Sequence, residues 1–199
     1  MRAALVVLGV IVLIVIGAVV WGVGVNNQLV LADQAVNEAW AQVQNVYQRR
    51  ADLIPNLVET VKGFATQERT VLEEVTKARA SAAGIKATPE LINDPAAFQK
   101  FQQAQSELGG ALGRLLVTVE RYPDLKSNQN FLALQSQLEG TENRITVERM
   151  RFNDASREFN TTRSSFPTVL FAGFFGSRFA DKAYFQAAPE AATAPKVKF

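Results

Sequence analysis

The carboxylates Glu139, Glu142 and Glu148 are the residues whose spacing comes nearest to an acid–base pair or a metal site. Bundle proteins that hold two metal ions combine glutamates with a Glu-x-x-His motif, and this chain contains no histidine and no cysteine. The missing residue types also exclude Ser-His and Cys-His nucleophiles, ordinary zinc sites and disulfides. We therefore predict no catalytic residue, no metal and no cofactor, and expect the glutamates to lie on a solvated helix face.

A charged cluster, Arg49, Arg50 and Asp52, lies within a helical pattern that is otherwise apolar along one side. Arg50 and Glu68 occupy positions of that apolar seam. The simpler expectation is that both side chains reach solvent along the helix edge. The alternative is a buried polar contact that fixes the register of the helices, or a recognition site for a partner.

The overall charge narrows the range of partners. The chain has 199 residues with 21 Lys plus Arg and 19 Asp plus Glu, a formal net charge of +2. This balance offers no general basis for binding nucleic acid, so we predict none. The length predicts one domain with extensions.

Residues 3–25 form an uncharged apolar segment. As a helix it would be ~35 Å long, enough to cross a hydrocarbon core of ~30 Å. Trp21 lies near its end, where an interfacial aromatic is typical. A cleaved signal peptide would have a shorter apolar region and a small-x-small cleavage site, so residues 1–25 are predicted to be a retained transmembrane anchor.

The residues that flank the anchor predict its orientation. Arg2 precedes the span, whereas Asp33 and Glu38 follow it with no nearby base. The positive-inside rule then places the N-terminus in the cytoplasm and the larger domain outside it. Ala18 and Gly22 form a small-xxx-small pair that would let two spans pack closely, although such pairs are common in any span.

Residues 27–83 carry apolar side chains in a seven-residue repeat, which predicts a long helix. Pro55 lies within it and removes one backbone donor. Because the repeat keeps its phase across Pro55, we expect a kinked continuous helix, with a reversal at Pro55 as the alternative. The first choice gives three long helices and the second gives four.

Two more helices follow, and no useful strand pattern is present. The first is capped near Asn93-Asp94-Pro95 and runs to about Arg121, where Tyr122-Pro123 stops it. The second begins between Asp124 and Ser127, either of which can cap it. Its apolar residues recur every seven positions: Phe131, Leu138, Ile145, Phe152 and Phe159. The fold class is therefore all-α, an N-terminal transmembrane helix followed by an antiparallel bundle over residues 26–165.

The last part of the chain changes character. Residues 166–185 are rich in aromatic side chains, and residues 186–199 form an Ala/Pro-rich tail that we predict to be disordered. The aromatic segment either caps the bundle, forms an interface between protomers or enters a membrane surface. Three helices would leave it far from the parent membrane, whereas four would return it there. The candidate interface residues are Phe171, Phe174, Phe175 and Phe179.

Several segments share one recognisable pattern: the run Gln48–Gly63 with Ala39-Trp40 upstream, Asn128–Phe131 with Leu138–Ile145, and Phe166-Pro167 with Phe175-Gly176. These segments resemble the LemA family of bacterial membrane proteins. The longest is the run from Gln48 to Gly63, and the similarity extends over about residues 26–176. It implies an N-terminal membrane helix, a long helical bundle and no established enzyme activity, and some members are associated with forming or shaping internal membranes. The positions that carry the resemblance are Trp40, Arg49, Arg50, Asp52, Pro55, Asn56, Leu57, Asn128, Phe131, Leu138, Gly140, Asn143, Phe166 and Pro167.

Two functional hypotheses follow from these patterns. In the first, the protein is a non-enzymatic, single-pass membrane protein that self-associates into a helical scaffold at the lipid bilayer. In the second, it is an adaptor that binds another membrane protein, such as a protease or transporter, without self-assembly. An enzyme that uses carboxylates alone is the least favoured hypothesis.

Overall fold

The computed structural model describes residues 2–64, 67–174 and 176–186. Within these ranges it is an all-α protein, as predicted, with a long N-terminal apolar helix followed by a helical bundle. The α-helices are α1 (Arg2–Phe64), α2 (Arg69–Gly84), α3 (Pro95–Val119), α4 (Pro123–Lys126), α5 (Gln129–Ser164) and α6 (Thr168–Phe174), with 3-10 turns at Pro89–Asn93 and Gly176–Phe179.

Helix α1 contains both the apolar segment and the first helix of the bundle, with no break between them. Its most apolar 18-residue window has a mean hydropathy of 3.0, and the side chains there are exposed in the isolated chain. Within the described residues, this is the one helix long and apolar enough to cross a membrane. From Asn26 to its end it extends about 60 Å beyond the apolar segment.

Helix α1 also continues through Pro55, in agreement with the continuous-helix prediction. A proline lacks the N–H that would bond the carbonyl four residues earlier, which here belongs to Ala51. Arg79 of α2 supplies the missing donor, because its Nε lies 2.9 Å from the Ala51 oxygen. A tertiary contact therefore satisfies the backbone group that the proline leaves open.

Replacing Arg79 should be costly only while Pro55 is present. We expect Arg79→Ala to lower the free energy of unfolding by about 1.5–3 kcal/mol, the usual range for a hydrogen bond from a charged donor. In a Pro55→Ala background the restored backbone N–H replaces the guanidinium, so the cost should nearly vanish. Chemical unfolding of the four variants in detergent measures this coupling.

Arg157→Ala is the matched control, since Arg157 is 67% exposed and pairs with Asp154 on the surface of α5. It should change the free energy of unfolding by less than about 0.5 kcal/mol in either background. Equal costs of Arg79→Ala with and without Pro55 would contradict the compensation.

The structure differs from the prediction where the first bundle helix ends. The helix expected to reach residue 83 ends at Phe64, and α2 folds back along α1, as the contact between Arg79 and Ala51 requires. The seven-residue repeat did not reveal the reversal because Val61 and Val75 stand two heptads apart and are both fully buried. A repeat whose phase resumes after a turn cannot be distinguished from one continuous helix.

Contacts define the path of the remaining helices. Helix α3 runs parallel to α1, with Phe101 beside Trp40 and Gln105 beside Arg50. Helix α5 runs antiparallel, with Glu142 beside Arg50 and Phe152 beside Trp40. With α2 this makes a four-helix arrangement, so the chain returns to the apolar segment although α1 does not reverse at Pro55.

Side chains cap the first turns of α3 and α5. The carboxylate of Asp94 accepts from the N–H groups of Ala96 and Ala97, both at 3.0 Å, which confirms the predicted cap of α3. The cap of α5 is Asn128, whose Oδ1 accepts from the N–H of Phe131 at 3.1 Å. The prediction of a cap between residues 124 and 127 was wrong, because Pro123–Lys126 forms the short helix α4.

Candidate functional site

Arg50 lies inside the bundle and does not reach solvent. Its side chain is 4% exposed, and Nη1 lies 3.0 Å from a carboxylate oxygen of Glu142. Nη2 donates to the side-chain and main-chain oxygens of Gln105, and the guanidinium lies 5.0 Å from the ring centroid of Tyr47. The expectation that Arg50 reaches solvent was therefore wrong, and the alternative of a buried polar contact describes it.

This Arg50 cluster joins three helices, since Arg50 and Tyr47 belong to α1, Gln105 to α3 and Glu142 to α5. Burial raises the pKa of Tyr47, so its hydroxyl stays neutral at physiological pH. One carboxylate and one amide hold Nη1 and Nη2 of the guanidinium, while its Nε is buried without a hydrogen-bond partner among the described residues. The arrangement favours a single axial position of the helices relative to one another.

The three glutamates considered for chemistry have separate partners. Glu139 accepts from Gln135 on the surface of α5, and Glu148 pairs with Arg151 at 2.9 Å. Among the residues that the structure describes, no group of three or more acidic residues is placed to hold a metal ion. Glu139 lies on the exposed helix surface, whereas Glu142 contacts the buried Arg50 and the Glu148 side chain is 15% exposed, so the three do not share one solvated face.

Glu68 lies outside the helix in which the seven-residue repeat had placed it. It lies immediately before α2, pairs with Arg121 at 3.1 Å and accepts from the hydroxyl of Tyr122 at 2.8 Å. Hydrogen bonding to Glu68 raises the pKa of Tyr122. These contacts tie the turn after α1 to the end of α3.

The aromatic core surrounds Trp40, which is 1% exposed. Its ring centroid lies 5.8 Å from that of Phe98, 5.3 Å from that of Phe152 and 6.2 Å from that of Phe185. Its Nε1 donates to the carbonyl of Thr88 at 3.2 Å. Trp40 therefore fixes α1 against α3, α5 and the end of the described chain.

Residues 180–186, which we name the C-terminal strap, lie along the bundle without regular secondary structure. Three side-chain amides each bond both the N–H and the carbonyl of one strap residue. Asn160 does so at Lys182, Asn153 at Phe185 and Gln102 at Gln186, all within 3.2 Å. The strap is thus bound by α3 and α5 much as an added β-strand would be bound by a sheet edge.

Two side chains of the strap, Lys182 and Phe185, are buried in the bundle. Lys182 is 5% exposed, with its Nζ 2.6 Å from Asp33 and 2.8 Å from the Oδ1 of Asn93. Phe185 completes the aromatic core. Residue 186, assigned to a disordered tail, is part of the strap, while the rest of that predicted tail, 187–199, lies outside the described residues.

Replacing Asn160 by alanine should release the strap locally. The loss of three hydrogen bonds, two to the main chain of Lys182 and one to the hydroxyl of Tyr184, should favour opening of residues 180–186 by about 1–3 kcal/mol, or roughly 5- to 150-fold in amide exchange rate. Hydrogen exchange followed by mass spectrometry measures this. Asn143→Ala, at an exposed position of the same helix, is the control and should leave strap exchange unchanged. Equal effects of the two substitutions would contradict the assigned role of Asn160.

The aromatic segment lies beside the end of the apolar segment. A Cβ placed on Gly22 would lie 3.5 Å from the ring of Phe171, and Ala172 is buried against a core that includes Val25 and Leu29. The count of three long helices expected for a helix that continues through Pro55 was wrong, because α2 adds a fourth helix and the aromatic segment returns to the apolar segment. Pairing of two spans through Ala18 and Gly22 remains a prediction.

The four phenylalanines proposed as an interface have different surroundings. Phe179 is 2% exposed and belongs to the core of its own chain, so its assignment to an interface was wrong. Phe171 is half-buried against α1, whereas Phe174 is 87% exposed. Phe175 lies outside the described residues. Phe166, 81% exposed, precedes a cis peptide bond to Pro167.

The remaining signature positions divide into buried and exposed residues. Leu57, Phe131 and Leu138 are at most 3% exposed and belong to the core. The exposed members are Arg49, Asp52, Asn56, Gly140 and Asn143. Asp52 accepts from Gln48 at 2.7 Å, and the carbonyl of Asn56 accepts from Thr60 at 2.8 Å.

Sequence reasoning missed the residues that bind the strap, Gln102, Asn153 and Asn160. Polar residues on a helix ordinarily face solvent, and their pairing with a distant main chain leaves no periodic signal. The weak signal present was the pair Asn153 and Asn160, separated by one heptad and therefore on one side of α5.

An apolar anchor helix continued into a bundle, with polar contacts that join helices, defines a membrane-associated helical-bundle protein. The sequence model of the LemA family matches residues 39–199, and the chain belongs to this family. The match extends through the Ala/Pro-rich tail, which the sequence resemblance had placed outside the family pattern. It is not a family of known enzymes. No curated protein sequence matches the chain.

Proposed function

We propose that the chain is a non-enzymatic, single-pass membrane protein whose bundle self-associates as a scaffold at bacterial membranes. The observation that carries the proposal is the uninterrupted 63-residue helix α1. A bundle joined to its anchor by continuous helix is held at a set angle and distance from the bilayer, whereas a linker would let it move freely. Rigid attachment favours a role in spacing or shaping over a role in catalysis.

Lateral self-association is supported by apolar side chains on the outside of the bundle. Val147 and Met150, one turn apart on α5, are 40% and 59% exposed. Their location beside the Arg151–Glu148 ion pair gives an apolar patch with a charged edge, a common composition for a contact between proteins. The lipid bilayer and a second copy of the chain are the partners proposed.

Imaging of the full chain in lipid nanodiscs, with crosslinking in cells, tests self-association. We expect defined oligomers that Val147→Glu combined with Met150→Glu reduces to monomers. Val117→Glu, at a site 72% exposed near the end of α3, is the control and should leave them intact. Monomers at micromolar concentration without crosslinked species would overturn the scaffold, and a defined heteromeric complex would favour the adaptor.

The proposal includes a sidedness, with the N-terminus in the cytoplasm and the bundle outside it at the inner membrane. The charge difference between Arg2 and the pair Asp33 and Glu38 supports this orientation. A reporter that is active only outside the cytoplasm, fused at the C-terminus, should be active. Activity of a cytoplasmic reporter at the same position would reverse the orientation.

A further inference from the structure

We infer that helix α6 and Phe166 form a second membrane contact, inserted into the bilayer leaflet from which the bundle emerges. The inference rests on the proposed anchor and adds to it a lipid-binding surface in the folded domain. The contacts between α6 and α1, the exposure of apolar side chains on α6 and the distribution of charge around it all lead to this surface.

Helix α6 packs against α1 close to the end of the apolar segment. Phe171 lies against Gly22, three residues before the end of the apolar segment at Val25. Three residues of helix correspond to ~4.5 Å. Interfacial helices insert their apolar faces ~5–10 Å, at the boundary between headgroups and acyl chains. The packing of α6 on α1 therefore places it at the depth where such helices bind.

Helix α6 has several exposed apolar side chains. Ala172 is 1% exposed and faces the protein core, whereas Leu170 is 66% exposed and Val169 41% exposed. Phe174, four residues after Leu170 and therefore on the same side of α6, is 87% exposed, and Phe166, just before the helix, is 81% exposed. Together they give an exposed apolar surface. This surface is continuous, through Phe171, with the apolar side chains of the anchor. A bilayer that surrounds the anchor is thus already in contact with one edge of α6.

The segment that contains α6 is uncharged and is flanked by two arginines. The sequence contains no charged residue between Arg163 and Arg178, so the segment enters an apolar environment without burying a charge. Arg163 is held by Asp181 at 2.8 Å and by the main chain of Phe179, on the bundle side of α6. Arg178 is exposed, with its guanidinium 5.2 Å from the ring centroid of Phe179. Arginines at the limits of an apolar segment suit the headgroup layer.

Spin labels on single cysteines test this contact in the full chain, which has no native cysteine to remove. Labels are placed by Leu170→Cys and Phe174→Cys, by Val19→Cys within the anchor and by Val117→Cys, far from it. Each variant is reconstituted in phosphatidylcholine–phosphatidylglycerol vesicles. Collision rates are measured with oxygen, which concentrates in lipid, and with a nickel chelate, which stays in water.

We expect the oxygen-to-nickel collision ratio at positions 170 and 174 to exceed the ratio at position 117 several-fold and to approach the ratio at position 19. A high nickel rate at 170 and 174, with a lipid signal at 19, overturns this inference and leaves the anchor intact. Low rates with both reagents, accompanied by spin–spin broadening, would assign α6 to a second copy of the chain. A water signal at position 19 would overturn the anchor itself.

Discussion

Trp40→Ala should lower the free energy of unfolding by about 3–5 kcal/mol, as large-to-small substitutions of core aromatics do. Single domains are stable by only ~5–15 kcal/mol, so this one change should remove a large part of the total. Trp40 contacts rings from α3, α5 and the C-terminal strap. In this variant the strap should therefore unfold together with the rest of the bundle. Its amide hydrogens should then exchange at the same rate as those of the core.

Trp21→Ala is a control of the same residue type, because Trp21 is 42% exposed and lies in the apolar segment. It should change the free energy of unfolding of the bundle by less than about 0.5 kcal/mol. Circular dichroism of the full chain in detergent, during chemical unfolding, follows both variants without a tryptophan signal. Equal shifts for the two substitutions would contradict the central position of Trp40 in the core.

Glu142→Ala should lower the free energy of unfolding by about 1–3 kcal/mol, because it leaves the buried guanidinium of Arg50 with Gln105 as its remaining partner. The expected loss of free energy is small for a buried ion pair because the Glu142 side chain is 42% exposed, so water can reach part of the site. Arg50→Met removes the charge and fills the space with an apolar chain of similar length. It should cost less than Glu142→Ala, since buried ion pairs can be replaced by packed apolar residues with little loss.

The two substitutions should be strongly coupled. In an Arg50→Met background, Glu142→Ala should cost close to nothing, which a double-mutant cycle measures. Glu139→Ala, on the same helix and exposed, is the control and should stay within about 0.5 kcal/mol in both backgrounds. If Glu142→Ala and Glu139→Ala had equal effects, the Arg50 side chain would have to reach solvent along the helix edge, which was the simpler expectation from the sequence.

Periodicity predicted the helices but not all of their ends. The apolar positions of α5 recur every seven residues from Phe131 to Phe159, and all five of these side chains are buried. The reversal between α1 and α2 was missed because Phe64 continues the repeat in the sequence, although it is 45% exposed in the fold, and because Val75 stands two heptads after Val61. Spacing records which side of a helix is apolar, and it does not record the direction of the chain.

The polar contacts were less predictable than the core. The sequence marked Arg50 as unusual, yet its partners Gln105 and Glu142 are separated from it by 55 and 92 residues. The pairing of Arg79 with the carbonyl opposite Pro55 is of the same kind. Side chains that bond distant groups leave no local pattern, so only the packed helices reveal which polar residues meet.

The sequence by itself determined the apolar anchor, the all-helical class, the cap at Asp94 and the family, since each depends on neighbouring residues or on a repeated local pattern. The tertiary structure decided the number of helices that cross the bundle, the burial of Arg50, the binding of the strap and the return of α6 to the anchor. These depend on one reversal between Phe64 and Arg69. A reversal changes which distant residues come together while leaving the local spacing intact, which is why the location of the aromatic segment beside the apolar segment of α1 required the fold.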